Sequence, residues 1–481
     1  MQATAGPPTP SRAARAPVRD GARAALRPGG RTASRRRGGR PARRTGGRPV
    51  HRHAPPPAPA VEQADGRAWV RAVAAVALVA LGSRLPLGQG LQLGFVGAVV
   101  LAPLWWRTAT RTRAGVLVAA AVALAAAAGL WLTAASTGDH ATSRTNAVEW
   151  TVLLVGAFAS VGLLVWCRSV LTTWRALLWY GAGLALGLLR GSTLFDVNPW
   201  KFGYAFPVAV VVLAVALRLG RGWEVAALAT LALVSALNDS RSAFGLLLLA
   251  AGLCLAQVDL RGTGRRRSPF VVLATGAALA TGVYHLGQAL ILDGYLGVAT
   301  QQRSLEQLRT SGSLIIGGRP ELGATWALFR EHPWGFGAGT LPSAADVAVA
   351  KQGMADTGYD PDNGYVERFM FGNGFELHSV VGGLWAHSGL AGLLLAAVVA
   401  TVVTWGVATR IAERTASGLL LFAAANTLWN LFFSPVLTSV PTLVLTLGLL
   451  AATRVHGGGD PAAPPTRTGA TPRPRPRRAA P

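Results

Sequence analysis

Four side chains of this 481-residue chain stand where an ionisable group needs a reason: Arg190, Arg241, Arg319 and His378. Arg190 opens RGSTLFDVNPW (190–200), Arg241 lies in NDSRS (238–242), Arg319 opens RPELGATWALFRE (319–331), and His378 lies in FGNGFELHSVVGGLWAHSGLAG (371–392). Guanidinium groups clamp phosphate oxygens bidentately, so three of them on one side of an apolar body describe an anion site. Imidazole titrates near neutral pH and suits proton abstraction from an alcohol. Each has a plainer alternative. An arginine at a helix end can snorkel to lipid headgroups, and a histidine there can simply be hydrogen-bonded. His387 more readily caps or packs. Asp239 is either a carboxylate that orients Arg241 or a surface ion pair of little weight.

The elements that must hold these groups follow from composition. The chain is 51% hydrophobic and 14% charged, against about 25% charged in soluble domains. This composition argues against a soluble globular fold. The net charge of +25 sits mostly in the tails, since residues 1–67 hold 15 Arg and residues 454–481 hold 6, with four acidic residues between them. Those Arg tracts are Pro/Gly-rich and nearly free of aromatic residues to stack on bases, which argues against a nucleic-acid partner. Both tails are expected to be disordered. The first apolar run begins at Trp69, so no cleavable signal peptide is expected. Cys167 and Cys254 are too few for a disulfide framework.

A span needs about 20 apolar residues. Twelve runs qualify as spans: 69–84, 88–106, 114–135, 148–167, 174–190, 203–217, 223–238, 242–258, 270–292, 386–408, 416–433 and 436–453. With both termini cytoplasmic, the short inner loops carry 13 basic residues and the short outer loops only Arg84, Arg144, Arg190, Lys201 and Arg241. That asymmetry satisfies the positive-inside rule. Residues 293–385 then form one long extracytoplasmic loop, in which segments such as 319–331 have the apolar spacing of short helices lying over the outer mouth of the bundle. The expected fold is an all-α polytopic membrane protein. Its layout is a basic tail (1–67), transmembrane helices 1–9 (68–292), the outer loop (293–385), transmembrane helices 10–12 (386–453) and a second basic tail (454–481).

Other chemistries are excluded on spacing. EHPWGFGAG (331–339) lacks the Lys-Ser/Thr and preceding strand of a nucleotide loop and reads as a tight turn set by His332 and Pro333. No His/Cys/Asp/Glu spacing resembles a zinc site, and no G-x-S-x-G elbow is present. The first outer loop, GSRLPLGQG (82–90), has no carboxylate, unlike the lipid-phosphate-sugar transferases that place an acidic pair there.

Four strings in order resemble the O-antigen ligase and O-antigen polymerase superfamily of membrane glycosyltransferases. RGSTLFDVNPW (190–200) resembles its Arg…Asn-Pro segment and NDSRSAFGLLLLA (238–250) its Ser-Arg-Ser span start. GGRPELGATWALFREHPWGFGAGT (317–340) is similar to its Arg-bearing helix and His-Pro-x-Gly-x-Gly turn, and ELHSVVGGLWAHSGLAGLLL (376–395) to its His segment. The similarity extends over roughly 150–405, with Ser379 where the family commonly has Asn after the His. The resemblance implies Arg241 and Arg319 as a diphosphate clamp, His378 as catalytic base, and Arg190 and Asn198 as further substrate-side residues, although Asn198 and Pro199 also suit shaping the bundle. It implies a metal-independent inverting ligase or polymerase of the bacterial plasma membrane, without cofactor. The donor would be an undecaprenyl-diphosphate-linked glycan and the acceptor a glycan, lipid, wall polymer or protein, the site facing outward. The alternative is a transporter or flippase for a lipid-linked or anionic solute, but no internal repeat is evident and the polar residues gather at one surface.

Overall fold

The computed structural model describes residues 60–258, 268–295 and 297–451. The chain up to residue 59 and from 452 onward lies outside the described residues, as do Arg261, Arg265, Arg266 and Arg267 of the inner-loop count, so the expected disorder of the tails falls there.

Helices dominate the described chain. In order they are α1 (Ala60–Ser83), α2 (Leu93–Val100), α3 (Ala102–Ala109), α4 (Arg113–Ala135), α5 (Arg144–Val170), α6 (Thr173–Leu188), α7 (Thr193–Val197), α8 (Ala205–Leu219) and α9 (Arg221–Leu237). Then come α10 (Arg241–Leu255), α11 (Pro269–Leu292), α12 (Val298–Ser311), α13 (Leu314–Gly317), α14 (Glu321–Glu331), α15 (Ala344–Ala355), α16 (Val380–Ala412), α17 (Gly418–Phe433) and α18 (Val436–Leu450). A short antiparallel pair, β1 (Pro86–Gly88) and β2 (Leu91–Gln92), links α1 to α2. Five segments are long and apolar enough to cross a membrane: Arg113–Gly138, Arg144–Val170, Trp200–Leu219, Pro269–Leu292 and Val380–Ala412. Shorter apolar helices occupy Ala68–Ser83, Arg241–Leu255, Gly418–Phe433 and Val436–Leu450.

Three boundaries differ from the sequence reading: α16 begins at Val380, capped by Ser379, six residues inside the stretch assigned to the outer loop, and the other two lie near the N-terminus. The first helix starts at Ala60, inside the stretch expected to be disordered, because the residues after Pro59 hold several good helix formers and no further proline. The run 88–106 is not one helix. It begins in the hairpin and then breaks at Leu101, just before Pro103, which lacks an N–H and would clash with the carbonyl four residues back.

One apolar core joins the helices; of the five long apolar segments, α5 is the most enclosed and α11 the least. α1 and α6 meet closely at Gly82 and Gly183, where a Cβ on Gly183 would stand 2.9 Å from Gly82 Cα, so only glycine permits the crossing. A second core belongs to the segment 321–386: Leu328, Phe336, Met354 and Phe375 bury against Trp385 of α16, and Phe336 stacks on Phe375 at 4.1 Å. Inside α16, Gly389 takes φ 58 and ψ −142 and interrupts the helix. The nearby Ala386 carbonyl is filled from outside, accepting Phe336 N at 2.8 Å and Gly337 N at 3.0 Å. The glycine-rich run is thus a backbone plug for a helix kink, anchored further where Ala338 N donates to Gly129 O of α4 at 3.0 Å.

Candidate functional site

The link between α9 and α10 is three residues long, and Asp239 turns it with φ 50, a left-handed conformation that Asp tolerates better than most residues. Asn198 holds this link from below: its amide donates to Asn238 O at 2.8 Å, while its Oδ1 accepts Lys201 N at 2.8 Å. Asn198 is therefore engaged with backbone, and what it presents to the site is Lys201. α12 covers the link from the other side through Thr300, Arg303 and Ser304, which the i, i+3, i+4 spacing places on one face. Arg241 Nη1 donates to Ser304 Oγ at 2.8 Å. Asp239 accepts from Arg303 Nη2 at 2.7 Å and from Thr300 Oγ1 at 3.0 Å. Arg303 is the direct partner of Asp239, a role the sequence reading had offered to Arg241.

Lys201, Arg241, Arg303 and Arg319 lie within electrostatic reach of one another around Asp239. Burial acts to raise the Asp239 pKa. The hydrogen bonds from Arg303 and Thr300 and the charges of Arg303 and Arg241 outweigh it, holding the carboxyl below its usual range. Four cations around one carboxylate leave a positive site suited to a multiply charged anion. Arg319 is half-buried two residues before α14; its carbonyl accepts Leu322 N at 3.1 Å, and its guanidinium makes no hydrogen bond or ion pair among the described residues.

His378 also has a left-handed backbone, φ 49, directly before the N-cap of α16. Ser379 makes that cap, accepting Gly382 N at 3.1 Å while its hydroxyl donates to Leu431 O of α17 at 3.0 Å. His378 Nδ1 lies 3.1 Å from the Glu376 carbonyl. A carbonyl only accepts, so this contact assigns a proton to Nδ1, and in the neutral ring the lone pair is then on Nε2. His378 lines a cavity of about 260 Å³ with a mixed polar and apolar wall, together with Asn146, Glu149, Glu376 and Leu437. Its ring also lies 5.9 Å from that of Tyr365. The Tyr365 hydroxyl donates to Glu321 Oε1 at 2.6 Å, and Glu321 is 8% exposed with Oε2 unpartnered. Burial, then the charge and hydrogen bond of Glu321, push the Tyr365 phenol up, so it stays protonated. Arg319 acts on Tyr365 as well as on the cation cluster.

The structure thus relates Arg241, Arg319 and His378 through Arg319 and Tyr365. Arg190 is elsewhere, exposed two residues after the end of α6 and outside the electrostatic partners of Arg241. Both leave apolar helices on the side expected to face outward, but that shared side says nothing about which flank of the bundle each occupies. His387 packs, stacked on Trp150 at 4.1 Å with Nδ1 2.9 Å from Gly383 O. Lys201, Arg303, Tyr365 and Glu149 were not singled out from sequence; only Lys201 gave a signal, as a cation on the sparsely charged side. Among the described residues, no group of three or more His, Cys, Asp or Glu is placed to hold a metal. A smaller cavity of about 70 Å³ in the helix core is apolar and lined by no titratable side chain. No family model, curated protein or solved structure matches the chain.

Proposed function

We propose that the chain is a twelve-span bacterial plasma-membrane glycosyltransferase of the O-antigen ligase type, with cytoplasmic termini and an outward-facing site. It would move a glycan from an undecaprenyl-diphosphate carrier to an acceptor hydroxyl, by ligation or polymerisation. The observation that carries this reading is the position of Arg319, which acts both on the cluster of Lys201, Arg241 and Arg303 and on Tyr365, whose ring packs beside His378. A diphosphate bound at the cluster would place its sugar toward the imidazole.

The chemistry is one displacement. His378 Nε2 takes the acceptor proton, the acceptor oxygen bonds to the anomeric carbon, and the bond from that carbon to the diphosphate oxygen breaks with its electron pair on the leaving group. Arg241 and Arg319 stabilise the charge that develops there, which is larger in the transition state than in the bound donor. A single displacement inverts configuration. The cavity beside His378 holds Asn146 and Glu149, which offer hydrogen-bond partners for acceptor hydroxyls.

The test is to incubate membranes holding the chain with a radiolabelled undecaprenyl-diphosphate oligosaccharide. Release of lipid diphosphate and labelled product is expected, with loss of both in Arg319→Ala and His378→Ala. Transfer at the wild-type rate in these variants would overturn the site, and passage of label across the membrane without bond cleavage would favour transport.

A further inference from the structure

The cavity of about 260 Å³ beside His378 has an uneven stock of hydrogen-bonding groups. Its side-chain donors are mostly turned to partners within the protein. The Trp150 indole donates to Ser388 Oγ at 3.1 Å, the Ser379 hydroxyl to Leu431 O at 3.0 Å, and Asn146 Nδ2 to Asn373 O at 2.6 Å. Both imidazoles are used alike. His378 Nδ1 lies 3.1 Å from Glu376 O and His387 Nδ1 2.9 Å from Gly383 O, so each carries a proton on Nδ1 and, in the neutral ring, a lone pair on Nε2. Neither Nε2 has a partner among the described residues, and neither do the carboxylates of Glu149 and Glu376. Of the lining side chains, only the amides of Asn146 and Asn373 keep a free N–H. No Lys or Arg lines the cavity; Arg84, which donates to Leu437 O at 3.0 Å, is not part of its wall.

An exposed carboxylate by itself is ordinarily hydrated and points to nothing. Here two carboxylates from different elements, Glu149 on α5 and Glu376 before α16, share one cavity with two imidazole lone pairs. The free side-chain atoms of that wall are thus acceptors almost throughout. An ammonium group is their complement, with three donors, no acceptor and a charge opposite to the carboxylates. A phosphate or carboxylate brings acceptors only and would meet like charge with little beyond two amides to bind it. The volume is just under the roughly 300–1,000 Å³ of small-molecule pockets, which suits a single sugar ring. We propose that this cavity binds a saccharide bearing a free amine, its ammonium held by Glu149 and Glu376 and its neighbouring hydroxyl or N–H donating to His387 Nε2. Resting on the transfer reading, that saccharide is the acceptor, an amino sugar whose attacking hydroxyl faces His378. The two halves of the site then sort their substrates by charge. Lys201, Arg241, Arg303 and Arg319 take the diphosphate and repel the amine, while Glu149 and Glu376 take the amine and repel the diphosphate.

The experiment titrates the purified full chain, in phosphatidylcholine nanodiscs at pH 7, with methyl glucosaminide, methyl N-acetylglucosaminide and methyl glucuronide, read by saturation-transfer NMR. No donor is present, so binding is measured apart from transfer. The glucosaminide should bind at least 10-fold more tightly than its acetylated form, and the glucuronide should show no saturable binding. Glu149→Gln and Glu376→Gln, each at an exposed side chain, should lower that preference at least 3-fold, and Glu331→Gln, exposed at the end of α14, should leave it unchanged. Equal affinity for the glucosaminide and its acetylated form, binding of the glucuronide as tight as either, or a preference untouched by both carboxylate substitutions overturns the proposal. Offering the same three sugars as acceptors to the labelled lipid-diphosphate donor separates this inference from the reading beneath it. Label moved to the acetylated sugar or the glucuronide in preference to the glucosaminide would overturn the inference and leave the transferase standing, whereas amine-selective binding without any transfer would uphold the site and overturn the transferase.

Discussion

The Tyr365 ring lies 5.9 Å from the His378 ring at an inclination of 32°, while its hydroxyl is fixed to Glu321 at 2.6 Å. Tyr365 therefore ties the imidazole to α14, the helix that Arg319 precedes. Two substitutions separate its parts. Tyr365→Phe keeps the ring and leaves the buried Glu321 with neither oxygen partnered, so it should cost about 1–3 kcal/mol of stability, read as a lowered melting temperature. Tyr365→Ala also frees the imidazole and should reduce kcat for glycan transfer well beyond Phe, with KM little changed. Equal kcat in the two variants would mean that ring packing does not position His378.

Arg241 meets Ser304 through a single donor, which leaves the rest of its guanidinium fork for an anion. Arg241→Lys keeps the charge and removes the planar bidentate geometry. Transfer should fall at least 10-fold, and donor binding should weaken, measured by retention of the labelled lipid diphosphate. If the lysine variant binds and transfers like wild type, the cluster acts only as a diffuse positive field.

Asp239 controls how that cluster responds to acid. Its carboxyl lies below the ordinary range because Arg303 and Thr300 bind the charged form more strongly than burial opposes it. The contact between the α9–α10 link and α12 is thus fully stabilised above the unfolded value of about 3.9, and it is lost only as pH falls through the lower folded value. Hydrogen exchange in α12 should be flat from pH 7 to 5 after correction for intrinsic rates. Removing Arg303 leaves burial less opposed, so Arg303→Gln should move the release to higher pH. An unchanged midpoint would show that another contact holds Asp239 ionised.

The fold was legible in part because apolar run length and helix length report the same quantity, burial of a helical face. What periodicity could not see was local backbone chemistry: Pro103 splits the second run, and Gly389 interrupts α16 while the glycine-rich turn fills the Ala386 carbonyl. Arg241 was visible as a cation at the outer end of a span, against the positive-inside rule, and Arg319 through the string 317–340 in which it stands. Arg303 and Tyr365 were invisible for the opposite reason, since each lies in a polar stretch where such a residue is ordinary. Arg190 was grouped with the other two by side alone, and side does not fix position around the bundle. Ser379 read as a departure from the family pattern, whereas its hydroxyl has a definite task as the α16 cap. Ser379→Ala should accordingly cost about 1–2 kcal/mol, seen in thermal unfolding, and Ser379→Asn should recover most of it because Asn also caps well; equal melting of the three proteins would remove the cap from the account.

Asp346 fastens the helical segment over the kink. It is 2% exposed at the start of α15, where its Oδ2 accepts Ser343 N and Ser343 Oγ, each at 2.7 Å, and lies 3.0 Å from His140 Nε2. Its Oδ1 lies 3.5 Å from His332 Nε2, so one carboxylate joins α15 to the chain after α4 and to the turn that plugs α16. Asp346→Ala strips the acceptor from several donors at once and should destabilise by about 2–4 kcal/mol, since buried donors left unpaired lose their full solvation. Asp346→Asn keeps one accepting oxygen for the helix cap and should fall between. His140→Ala removes a single contact at the edge of the cluster and should cost less than either. The check is thermal unfolding of the purified chain together with protease sensitivity of the 332–343 turn, which should rise in the order His140→Ala, Asp346→Asn, Asp346→Ala. If Asp346→Ala melts with wild type and resists protease equally, the carboxylate is not what holds the turn against the α16 kink.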